Sequence, residues 1–245
     1  MTTFDFDAPL AAQLHERGNS IWEAAHEHPM IADIGAGSLP HDTFRFYFEQ
    51  NIMYLEEYAR SISFIATKAP DDDALNVLER FSRQIVENEI PANHGFLERL
   101  GGTLRARSLN EMTPVNYAYT RHLLYTTSQF SPAAGLAAIL PCQWSYGEIA
   151  TRLAAHVPED KIFADWIALF ANTAYDALVL DTVTLLDRLA TDEGAGVREL
   201  APYFDWSSRY ELAFWQMAYT CGRDNAVPHI ELDVSSDRSK MKGTL

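Results

Sequence analysis

Along almost every long segment the apolar residues recur at intervals of three and four, and strict alternation is scarce, so the chain is constrained to pack helices. The expected fold class is all-α. The stretches "EHPMIADIGAGSLPHD", "KAPDDD", "GGTLRARSLNEMTP", "FSPAAG", "HVPEDK" and "TDEGAG" place Gly, Pro and Asp between periodic runs and read as breaks. About seven or eight helices of ordinary length follow from that spacing. The chain has 245 residues, 47% of them apolar, which is enough for one sizeable core. A single helical domain is expected over residues 1–235, with a flexible tail over 236–245.

Acidic residues outnumber basic ones by 34 to 19, a net charge of -15, which disfavours attraction to nucleic acid or to an anionic membrane. No helix-turn-helix with a basic face is apparent either. The N-terminus has no basic stretch leading into an apolar run, and no window approaches about 18 uncharged apolar residues. Cys142 and Cys221 form no CxxC pair and no zinc-ligand spacing, so a reducing, cytoplasmic setting is expected.

Four segments carry candidate chemistry. In "HDTFRFYFEQNIMYLEEYARSISFIATKA", with Asp42 or Thr43 as N-cap, the residues Phe44, Tyr47, Asn51, Tyr54, Tyr58 and Ile62 share one helix face. Three phenols and an amide turned inward suit either an aromatic core or a polar pocket. In "TPVNYAYTRHLLYTTS", Thr113 caps, Pro114 takes the first helical position, and Tyr119 and His122 point toward a common neighbour. In "AAILPCQWSYGEIATRLA", Pro141 removes a backbone donor and is expected to kink the helix, while Cys142 and Tyr146 share a face just beyond it. Cys142 reads as a nucleophile or as a small buried hydrophobe. The last clear helix is expected to start near "WSSRYELAFWQMAY", where Ser208 and Glu211 form a capping box or, with another start, Glu211 faces inward with a raised pKa.

Together these segments resemble the TenA family, also called thiaminase II, from roughly Phe44 to Tyr219. "LPCQWSYGEIA" resembles the family's Leu-Pro-Cys-x-Trp-x-Tyr signature, and "YFEQNIMYLEEYAR", "NYAYTRHLLY" and "YELAFWQMAY" resemble its other conserved helices. The resemblance implies a haem-oxygenase-like helical fold, a homotetramer, no cofactor or metal, and hydrolysis of aminopyrimidines to hydroxymethylpyrimidine in thiamin salvage. It makes Cys142 the nucleophile and Glu211 the acid acting on the pyrimidine ring nitrogen. Tyr54, Tyr119 and Tyr146 become hydrogen-bonding or positioning groups in a substrate pocket that also takes in Tyr47, Asn51 and Phe170. Two positions depart from the family pattern: Asn51 stands where aspartate is usual, and Phe170 where a tyrosine is common. Asn51 can pair with an aminopyrimidine edge but cannot stabilise a protonated ring, so an aspartate at 51 is expected to raise turnover. Two alternatives stay open. One is a pyrimidine-binding or regulatory protein with weakened activity; the other is a di-iron centre drawing on Glu87, Glu89 and His94.

Overall fold

Residues 9–103 and 111–228 are described by a computed structural model of the chain, and every regular element among them is helical. The breakers seen in the sequence set the helix starts. Helix α1 (Pro9–His26) leads to α2 (Pro29–Ala36), where the His28 ring accepts from the Met30 amide. Helix α3 (His41–Ala66) is followed by α4 (Asp72–Arg83), capped by Asp71. A π-helical turn (Gln84–Glu89) runs on into α5 (Ile90–Arg99). Thr113, Ser131, Asp160 and Asn172 then cap α6 (Pro114–Gln129), α7 (Pro132–Leu153), α8 (Lys161–Phe170) and α9 (Thr173–Glu193) through their side-chain oxygens. Helix α10 (Val197–Tyr219) closes the described bundle.

Three expectations change. "EHPMIADIGAGSLPHD", read as a break, contains α2, because Met30, Ile31 and Ile34 still find a core to enter. That helix and the π turn bring the count among the described residues to ten α-helices. Helix α3 starts at His41 with Pro40 as its cap position, so Asp42 and Thr43 lie inside its first turn. Helix α10 starts at Val197, far before the expected tryptophan, with the Glu199 carboxylate accepting from the Gly196 amide at 3.0 Å. It runs through Pro202, whose missing donor affects the exposed Arg198 carbonyl in the first turn. The expected flexible tail, 236–245, lies outside the described residues.

Helix α7 is the axis of the packing, in contact with α3, α6, α8, α9 and α10. Its residues from Ala133 to Gly147 are all buried. Small side chains at its N-terminal end let neighbours approach: a Cβ at Gly135 would sit 2.8 Å from Ile65 Cγ1 on α3. The inward face of α3 is the expected one, with Phe44, Tyr47, Asn51, Tyr54, Tyr58 and Ile62 all buried. Among the described residues no single helix is long and apolar enough to cross a membrane.

Thr113→Ala removes the oxygen that accepts from the Asn116 amide at the start of α6. The change is expected to lower stability by about 1 kcal/mol, seen as a melting temperature a few degrees lower by circular dichroism, with ligand affinity unchanged in the folded protein.

Candidate active site

Pro141 does not end α7; the helix continues to Leu153. Carbonyls on either side of the proline turn are met by phenols from other helices. The Tyr58 hydroxyl donates to the Ile139 carbonyl at 2.7 Å, and the Tyr175 hydroxyl donates to the Gln143 carbonyl at 3.0 Å. Cys142 sits between these two contacts, 8% exposed. Burial pushes its thiol well above the ordinary cysteine range and the neighbouring Glu211 adds to that, while the Tyr54 hydroxyl beside it pulls the other way.

Glu211 comes from the middle of α10, where Ser208 is not a cap: its hydroxyl donates to the Phe204 carbonyl at 2.9 Å and accepts from the Trp22 indole at 3.0 Å. Glu211 Oε1 accepts from the Tyr119 hydroxyl at 2.7 Å. Burial raises its carboxyl to about 7, and hydrogen bonds from Tyr119 and Cys142 restrain the rise. His122, three residues after Tyr119, also reaches α10 and meets the Ser207 hydroxyl at 3.2 Å, a structural contact. The Tyr54 ring lies 5.1 Å from that of Tyr119, and its buried hydroxyl makes no well-formed hydrogen bond.

The remaining aromatic residues form one wall. The Tyr47 and Tyr146 hydroxyls are 3.1 Å apart, and both rings pack on Trp215 at 5.6 and 5.1 Å. Phe170 is wedged between Tyr146 and Tyr175, at 5.1 and 5.3 Å. Thus Cys142, Glu211, Tyr54, Tyr119, Tyr146, Tyr47 and Phe170 converge on one region of the core.

A pocket lies beside the Cys142 thiol, and Glu211 is not among the residues that line it. Its polar groups come from Asn51, Tyr58, Glu89, Cys142, Gln143, Tyr146 and Tyr175. Glu211 instead lines a separate cavity with Trp22, Pro141, Ser145 and Ser208. The orientation of Asn51 is set by a relay. Asn93 donates its amide to the Glu89 backbone carbonyl at 2.8 Å, which turns its Oδ1 toward Asn51, and Asn51 Nδ2 donates to that oxygen at 3.0 Å. Asn51 therefore commits one N–H to the protein and keeps Oδ1 as its acceptor.

Gln143, Tyr175 and Glu89 are among the pocket residues that the sequence does not mark for substrate binding. Gln143 fills the variable place after the cysteine, and neither atom of its buried amide has a hydrogen-bond partner. Tyr175 follows Phe170 by five residues and returns a phenol to the same wall. Glu89, weighed above only as a metal ligand, ends the π turn and points inward with an unpartnered Oε1. Burial raises its carboxyl to about 8, opposed by a hydrogen bond with Gln84. Glu87 is exposed, and among the described residues no three His, Cys, Asp or Glu side chains gather as a metal site. Cys221 lies apart, in the turn after α10, with its sulfur 3.8 Å from the Thr43 hydroxyl.

Known proteins resemble the chain in sequence and in fold. The TENA/THI-4/PQQC family profile matches residues 15–221. An aminopyrimidine aminohydrolase from Halalkalibacterium halodurans is 31% identical over 216 residues, covering 86% of this chain and 95% of that protein. The solved structure of a TenA homologue from P. horikoshii OT3 superposes with a TM-score of 0.79 at 30% identity, covering 86% of this chain and 99% of that one. A domain with a heme oxygenase-like fold from Shewanella denitrificans OS217 superposes with a TM-score of 0.65 at 11% identity, covering 90% and 97%, a likeness of fold alone. By its sequence over residues 15–221 and by its all-α, haem-oxygenase-like fold, the chain belongs to the TENA/THI-4/PQQC family.

Proposed function

We propose that this protein is a thiaminase II-type hydrolase that converts aminopyrimidines to 4-amino-5-hydroxymethyl-2-methylpyrimidine, with Cys142 as nucleophile. The observation that carries this reading is the contact between the Cys142 thiol and a Glu211 carboxyl held at about 7, beside a buried polar pocket. A thiol raised by burial is inert until a base takes its proton. In this reading Glu211, whose carboxyl contacts the thiol, is that base: once ionised, it accepts the thiol proton as sulfur bonds to a ring carbon. The carboxylic acid so formed then protonates the departing amine. Water adds to the exocyclic methylene and gives its proton to Glu211, which returns it to sulfur as the carbon–sulfur bond breaks. Tyr119 fixes the orientation of the carboxyl throughout. This gives Glu211 the thiol and leaving-group protons, and leaves the ring nitrogen to a group that lines the pocket.

The relative named aminopyrimidine aminohydrolase supports the substrate class. The pocket beside the thiol is lined by Asn51, Glu89, Gln143, Tyr146 and Tyr175, which offer a substituted heterocyclic ring polar partners on several sides. Tyr146, packed edge-on against Phe170, lines the pocket and provides an aromatic side for a flat heterocycle.

The direct test is incubation with 4-amino-5-aminomethyl-2-methylpyrimidine and with thiamin, following hydroxymethylpyrimidine by chromatography. The parent protein is expected to release product. Cys142→Ser is expected to release none while keeping its helical circular dichroism, and Cys221→Ser to match the parent. Equal loss in both variants, or binding of the pyrimidine without product in the parent, would overturn the reading.

Glu211→Gln is expected to lower the rate at least a hundredfold, the scale of a positioned proton-transfer group. Because the free enzyme needs Glu211 ionised, kcat/KM in the parent should rise with pH through about 7. Stability runs the opposite way. Folded Glu211 keeps a proton that the unfolded chain has released above its ordinary value of 4.5, so its contribution is intact below that pH and is lost as pH rises through about 7. Glu211→Gln removes this loss, so it should melt no lower than the parent at pH 8 despite its slow turnover.

A further inference from the structure

Resting on the aminopyrimidine reading, we propose that Glu89 is the acid that engages the pyrimidine ring nitrogen, so that the π turn supplies the carboxyl that α3 lacks at Asn51. Three observations carry this. First, the side chain is 5% exposed, lines the same pocket as Cys142 and Asn51, and has an Oε1 with no protein partner. An unpaired buried polar atom is costly, and a ligand that pairs with it recovers that energy. Second, Glu89 ends a π-helical turn inserted between α4 and α5. Such turns are uncommon and concentrate at functional sites, where the extra residue redirects a side chain. Third, Glu211 does not line this pocket; it lines a separate cavity with Trp22, Pro141, Ser145 and Ser208.

The chemistry matches the edge to be read. A protonated carboxyl presents one O–H donor beside one C=O acceptor. A 4-aminopyrimidine presents a ring nitrogen beside an amino group, so the two pair through parallel hydrogen bonds. Asn51 can help by accepting through Oδ1, but it has no proton to give. As Cys142 sulfur bonds to the ring carbon between the two nitrogens, the electron pair of its C=N bond to the nitrogen beside the amino group moves onto that nitrogen, which takes the Glu89 proton. When sulfur leaves and the ring becomes aromatic again, that nitrogen returns the proton to Glu89. No proton is gained or lost over the cycle, and no further reactant is needed.

The surroundings keep Glu89 protonated in the range where Glu211 ionises. The titratable groups facing it are Tyr47 and Tyr58 from α3, Cys142 from α7 and Tyr175 from α9, all raised by burial and therefore uncharged. This assignment also revises the expectation for position 51. An aspartate there would share the pocket with a protonated Glu89 that already supplies the acid, so the variant is not expected to gain turnover while Glu89 is present.

The test compares the parent with Glu89→Gln, which keeps a donor and an acceptor but cannot transfer a proton. Calorimetric Kd for hydroxymethylpyrimidine is expected to stay within about threefold, while kcat on 4-amino-5-aminomethyl-2-methylpyrimidine falls at least about a hundredfold. The fall in kcat/KM above about 8, expected for the parent as Glu89 ionises, should vanish in whatever activity remains. Folding is checked at pH 8, where the variant should melt no lower than the parent, because folded Glu89 holds a proton that the unfolded chain releases above 4.5. A Glu89→Gln protein with the parent's kcat and pH profile would overturn the assignment and leave the hydrolase reading intact. So would kcat, affinity and melting temperature falling together, the mark of a wall residue. A parent that converts no aminopyrimidine would instead remove the hydrolase reading itself.

Discussion

A carboxyl buried in an apolar core must either stay protonated or find donors, and the contact of Glu211 with Tyr119 and Cys142 is how this fold meets that demand. Three helices are committed by it. Helix α10 must run unbroken through Pro202 to bring Glu211 inward, α6 must carry Tyr119 across to it, and α7 must hold Cys142 just past Pro141. The outcome is a carboxyl poised near neutrality against a thiol raised far above it. Neither group has that character in water: the loss of solvent raises both, Glu211 raises the thiol further, and the hydrogen bonds from Tyr119 and Cys142 hold the carboxyl near neutrality.

Much of this was legible because helical periodicity survives in the sequence. The face of α3 running from Phe44 through Asn51 to Ile62 could be read from spacing alone, and so could the cap at Thr113 and the shared face of Cys142 and Tyr146. The start of α10 could not. Pro202 and the serines before Glu211 look like an N-terminus, and only tertiary packing of Leu200, Ala201 and Phe204 carries the helix upstream of them. The role of Glu211 turned on that boundary, since a capping residue and a buried acid share one local sequence.

Glu89 was hidden for a different reason. A π turn shifts the phase of a helix by one residue, so a side chain predicted on one face emerges on another, and no residue pattern marks where this happens. The same holds for Gln143, which the spacing places on α7 without showing that its amide lacks a partner. Asn51 stands where the family resemblance leads one to expect an acid, yet the site is not short of carboxyls. Its amide is held by Asn93, which is held in turn by the Glu89 backbone, so the two positions are one connected unit.

The account stands most directly on proton exchange between Glu211 and the Cys142 sulfur. The measurement that isolates it is the rate of iodoacetamide alkylation at Cys142 against pH, in a Cys221→Ser background with and without Glu211→Gln. With Glu211 present, the rate should step upward near pH 7 as the carboxyl ionises and takes the thiol proton, and with glutamine the step should disappear. An identical step in both proteins would contradict the pairing and with it the proposed activation of Cys142.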